Sequence, residues 1–136
     1  MVADRNSWKN EPLATPHAAL MLDRLYSAEE FDRIREGVIP EMMEDKWFVF
    51  FESPWLYVHR SWTGICIAQI CFAEVSGDFE VTEILVTRDP QQNQSSLQES
   101  EALLLGCLLD GWAGRDTQEQ WRLYQTWLDE NSSSTN

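Results

Sequence analysis

Positive charge is scarce in this chain of 136 residues: ten Lys and Arg stand against 23 Asp and Glu, a formal net charge of −13. Nucleic-acid binding rests on cations that neutralise backbone phosphate, so this balance argues against a DNA or RNA partner. It argues equally against attraction to an anionic membrane surface. Long apolar runs are missing too, and no stretch approaches a membrane span. Residues 1–18 hold Asp4, Lys9, Glu11 and Pro12 and lack the apolar centre of a secretion signal. These absences predict a cytoplasmic protein with no membrane partner. Cysteine is limited to Cys66, Cys71 and Cys107, an odd count without framework spacing. Cys66 and Cys71 fall on opposite faces of one expected strand, so they can neither bridge nor share a metal. They read as small buried apolar residues of a reducing compartment. Phosphate-cradling glycine motifs and zinc-ligand spacings are absent, and no cofactor or metal is expected.

What is present is a single domain's worth of chain with seven tryptophans. That length supports a core without disulfide or metal staples, and the tryptophans supply large buried area. The acidic surface suits solubility or a basic protein partner, whose encounter complementary charge accelerates.

Taken in order, residues 1–18 are polar, broken by Pro12 and Pro16, and expected to be irregular. Ala18–Tyr26 fits either a short helix or an extended segment. Ser27-Ala28-Glu29-Glu30 is a capping-box pattern, and Phe31, Ile34 and Arg35 continue at helical spacing, so a helix over about 28–36 follows, stopped by Gly37. Four strands are then expected at 46–52, 55–62, 65–75 and 79–87. Ser53-Pro54, Thr63-Gly64 and Ser76-Gly77-Asp78 provide the turns. Asp89 to Ser96 is a polar loop. Leu104, Leu105, Leu108, Leu109 and Trp112 mark a helix over 97–112, with Glu99, Glu101 and Asp110 on its wet edge. A last amphipathic helix spans about 117–128, and 131–136 form a disordered tail. The expectation is one α+β domain over 19–130: a four-stranded antiparallel meander, preceded by a helix and followed by two helices that pack on the sheet.

Few residues carry chemistry. Glu44-Asp45-Lys46 reads as a solvated charged turn, because a hard-cation site needs more converging oxygens. His59 and Ser61 share a strand face about 6–7 Å apart, outside the contact a nucleophile and base require. Arg60 alternates with Leu56, Val58 and Trp62, so a regular strand would turn its guanidinium toward an apolar face, where an internal carboxylate should pair it. If the chain has a ligand pocket, Tyr57, His59, Arg60 and Trp62 are its candidates.

Ile39-Pro40, Met43 to Phe48, Leu56-Tyr57 and His59-Arg60-Ser61-Trp62-Thr63-Gly64 together resemble the core motif of a family of small bacterial proteins of unassigned activity. The likeness covers about residues 38–113. Some members of that family are linked by association with ADP-ribosylglycohydrolases. This chain is too short for the all-helical fold of those enzymes and lacks their paired acidic metal motifs, so the resemblance implies a bacterial cytoplasmic protein and no catalytic residue.

Two functions follow as expectations. The first is a non-catalytic interaction or regulatory protein, of the immunity or antitoxin kind, meeting a basic protein through surplus aromatics such as Trp121 and Trp127. The second is a module for a nucleotide or an ADP-ribose-like anion, or an accessory to an ADP-ribose-processing enzyme, using Arg60 for phosphate and Tyr57 or Trp62 for stacking.

Overall fold

The computed structural model describes residues 2–13, 17–20, 22–42, 45–87 and 98–133; at 17, 98–101, 127, 128 and 130–133 it describes the backbone alone. The elements run β1 (His17–Leu20), β2 (Leu25–Tyr26), α1 (Ala28–Arg35), β3 (Trp47–Glu52), β4 (Trp55–Arg60), β5 (Cys66–Val75), β6 (Asp78–Thr87), α2 (Gln98–Trp112) and α3 (Gln118–Ser133). This is an α+β domain built on one antiparallel sheet in the order β1-β6-β5-β4-β3, with β2 also pairing β6.

The β3 to β6 meander follows the alternation in the sequence. Val49, Leu56, Val58, Ala68, Ile70, Phe72, Ile84 and Val86 form the core on one face, beneath Phe31 and Ile34 of α1 and Leu105 and Leu109 of α2. Each such side chain, fully buried, contributes about 1.5–3 kcal/mol relative to exposure. Ser76 and Gly77, both at positive φ, make the two-residue β5–β6 turn. The α1 capping box forms as expected: the Glu30 N–H donates to Ser27 Oγ, and the Ser27 N–H donates to the Glu30 carboxylate.

Three expectations need correction. Among the described residues the sheet has six strands, not four, because His17–Leu20 and Leu25–Tyr26 are extended and pair with the free edge of β6. An unpaired edge presents a row of N–H and C=O groups, and their satisfaction outweighs the weak helical spacing of Leu20, Leu22 and Leu25. The helix α1 therefore follows two strands. Second, the last helix does not lie on the sheet: α3 packs on α2 and continues to Ser133, beyond the expected end near residue 128. Third, Asp110 is buried among polar partners. Its carboxylate accepts from the Tyr26 hydroxyl at 2.7 Å, from Gln120 at 2.9 Å and from Arg24 at 3.3 Å. It thereby links α2 to β2 and α3. The expected polar loop over 89–96 lies outside the described residues.

The β3–β4 part of the opposite face is covered by the N-terminal strap, residues 2–13. The strap has no regular secondary structure, as expected, yet it is packed: Ala3 is buried against Phe48 and Phe50.

Candidate interaction surfaces

The strap is held by backbone groups of two loops. The Ala3 N–H donates to the Glu36 carbonyl at 2.7 Å, and the Glu11 N–H donates to the Gly64 carbonyl at 2.7 Å. The Trp8 indole N–H donates to the Ser61 carbonyl at 2.6 Å. Arg5 forks onto Glu52 at 2.6 and 3.1 Å, with its guanidinium 5.2 Å from the Phe50 ring centre and 5.6 Å from that of Tyr57. That pairing holds the Glu52 carboxyl below its ordinary range and the Arg5 guanidinium above its own.

His59 sits under the strap. It is 1 % exposed, stacks on Phe50 at 5.5 Å, and its Nε2 meets the Glu11 carbonyl at 3.1 Å. Nδ1 is buried without a hydrogen-bond partner. Desolvation pushes the imidazole below its usual pKa, so the ring is neutral and Nε2–H donates to Glu11. Ser61 is also buried, its hydroxyl donating to the Asp45 carbonyl and its N–H to the Lys46 carbonyl. Each of the two side chains is thus committed to a different backbone carbonyl, and neither holds the other.

The four residues named as ligand candidates are spread over both faces of the sheet. Tyr57 and His59 lie beneath the strap, Tyr57 stacked on Phe50 at 4.9 Å. Arg60 is exposed, over the Trp47 ring at 5.0 Å, and Trp47 packs against the helix-side core. Arg60 is exposed rather than buried, and among the described residues no carboxylate pairs with it. β4 ends at Arg60, where the side chain reaches solvent along an aromatic stem instead of entering the core. Trp62 stands in the turn beyond, 66 % exposed.

Around that turn lies an open apolar groove of about 430 Å³, lined by Trp8, Met42 and Trp62 with Lys9, Glu41 and Ser61. Met42 is 62 % exposed and Trp8 37 %. The loop carrying Met42 is fixed, because the Asp45 carboxylate accepts the Glu41 and Met42 N–H groups at 2.9 and 3.3 Å. The Asp45 carbonyl in turn takes the Ser61 hydroxyl, so loop and turn are tied through one residue. The rare residues of the His59–Gly64 run therefore act as the anchor of the strap and the pedestal of Trp62.

Comparison of the chain with protein-family models, with curated proteins and with solved structures found no match.

Trp121, named from the sequence, is 38 % exposed on α3, edge-on to Tyr124 at 6.0 Å, with Leu123 more exposed still. The side chain of Trp127 lies outside the described residues. The sequence reading missed a second groove, of about 540 Å³, between α1 and the tips of the β3–β4 and β5–β6 turns. Phe31, Phe51, Phe72 and Phe79 line it. Phe31 stacks on Phe79 at 4.1 Å, meets Phe51 edge-on at 5.3 Å and lies 5.0 Å from Phe72. Phe31 and Phe72 are buried, whereas Phe51 and Phe79 reach the surface. Asp32, Arg35 and Glu74 stand at the rim. A signal existed in the sequence, since Phe31, Phe51, Phe72 and Phe79 fall near the ends of one helix and three strands. Only the tertiary structure brings them to one end of the sheet.

Proposed function

We propose that this chain is a non-catalytic interaction protein, a regulatory partner of the immunity or antitoxin kind, that engages another protein through the Trp8–Met42–Trp62 surface. The carrying observation is Trp62, two-thirds exposed on a turn whose neighbours Trp8, Met42 and Ser61 are held by hydrogen bonds. An exposed tryptophan on a rigid support offers large contact area at low entropic cost, the profile of an interface anchor. The strap side of the molecule supports this reading, because His59 Nε2, the Ser61 hydroxyl and the Arg5 guanidinium are engaged in holding structure. His59 and Ser61 bond to backbone carbonyls, and Arg5 is closed on Glu52.

Affinity capture from the native host tests it, with wild-type protein beside Trp62→Ser and Met42→Ser. Truncating an interface tryptophan typically costs about 2 kcal/mol or more, which is roughly 30-fold in Kd. A partner held stoichiometrically by wild type and lost from both folded variants is the expected result. Retention unchanged by both substitutions would remove the surface from consideration.

A further inference from the structure

The phenylalanine groove at the other end of the sheet has a chemistry of its own. Its walls are aromatic, its mouth is open between two turns, and its flanks are acidic. Glu74, the cross-strand partner of Phe79, is at the rim, and Glu29 adjoins the lining residue Ala28 on α1. Neither carboxylate has an ion-pair or hydrogen-bond partner among the described residues. The cation at the rim, Arg35, is already closed on Asp32 at 2.9 Å.

We infer that this groove binds a cationic side chain, guanidinium or ammonium, on an exposed segment of a basic protein. Aromatic faces attract such groups through their quadrupole, and nearby carboxylates add charge-assisted hydrogen bonds. A purely aliphatic occupant would cover the same rings but would partly dehydrate carboxylates left without partners, which is unfavourable. An anionic occupant meets like charge at the rim and across a chain of net charge −13. The long stem of Arg or Lys suits the shape: apolar methylenes against Phe51 and Phe79, the charged head at Glu74. The inference rests on this groove alone and is independent of the tryptophan surface, so a Trp62→Ser protein should bind as wild type does.

The test uses an acetylated peptide bearing three arginines and its citrulline counterpart, which keeps shape and removes charge. Binding is followed by aromatic-ring NMR shifts of the four phenylalanines. The arginine peptide should move those rings, bind at least tenfold more tightly than the citrulline peptide, and weaken in 0.5 M salt. Glu74→Gln, an exposed substitution that leaves the fold intact, should weaken it several-fold. Equal affinity for the citrulline peptide would overturn the inference in favour of an apolar occupant. Shifts scattered over surface carboxylates without ring shifts, or no ring shifts at all, would overturn it as well.

Discussion

Gly37, where α1 gives way to β3, tests the packing of the strap most directly. Its φ is +76°, and a Cβ added there would stand 2.2 Å from the Val49 carbonyl oxygen and 2.8 Å from the Ala3 Cβ. Gly77, in the β5–β6 turn, has a comparable φ of +87° and nothing within 4 Å of an added Cβ. Alanine at either position incurs the left-handed backbone penalty, about 1–2 kcal/mol. At Gly37 it must also displace core backbone. The bridge at risk is the reciprocal Val38–Val49 pair, at 2.9 and 3.0 Å, with a net value of about 1 kcal/mol per bond. The Ala3 contact beneath the strap is disturbed as well. Gly37→Ala should therefore cost at least about 3 kcal/mol, against about 1–2 for Gly77→Ala. Urea denaturation at fixed pH separates the two, and calorimetry should show Tm falling roughly 3–4 °C per kcal/mol for a domain of this size. Losses within about half a kcal/mol of each other would refute the claim that strap, α1 terminus and β3 are packed this closely.

Three further outcomes are expected. His59 is buried neutral with a depressed pKa, so the stability it contributes is complete above its unfolded value of about 6.5 and is lost as pH falls below it. The gap in urea midpoint between pH 7.5 and pH 5 should accordingly shrink in His59→Gln, and parallel pH profiles would show that the imidazole does not titrate unfavourably. Asp110→Ala strands the Tyr26 hydroxyl and two further donors in a buried setting and should cost about 3 kcal/mol, against about 1 for Tyr26→Phe; a double mutant that merely sums the two would deny the coupling. Arg115 donates to both oxygens of Glu30, holding that carboxyl down at about 2, so its contribution is present above the unfolded value of about 4.3 and lost as pH falls toward 2. Arg115→Ala should raise the midpoint of acid unfolding, and an unchanged midpoint would count against the pair.

Much of the fold was legible because local rules and tertiary demands agree in its middle. Trp47 to Glu52 and Trp55 to Arg60 are short aromatic and β-branched runs joined at Ser53-Pro54, and Ser27 with Glu30 states a helix start that the structure reproduces. Ala18–Tyr26 was not legible. The strands at 17–20 and 25–26 are decided by the open edge of β6, a partner 53 to 70 residues along the chain (79 − 26 and 87 − 17) that local pattern cannot reveal. Arg60 keeps the face that alternation predicts, beside Trp47, but it is exposed because β4 ends there and the core does not extend over it. Asp110 looked solvated because a lone acid on an apolar helix usually is, and nothing nearby announces Tyr26 and Arg24 as its partners. The tryptophan surface was half visible, since Trp62 stood out in sequence while Trp8 and Met42 reach it from distant segments.

The edge formed by β1 and β2 has a consequence for how the molecule acquires its shape. His17 pairs with Thr87, a separation of 87 − 17 = 70 residues, whereas β3 to β6 are joined in succession by short turns. Closing a long loop costs entropy before any contact repays it, so the meander should assemble early and this edge should dock late. The same order runs in reverse under native conditions, with β1 opening first as a small cooperative unit. Amide exchange should then be fastest at the β1–β6 seam and slowest along β5, which makes the sheet a mechanically graded object rather than a uniform one.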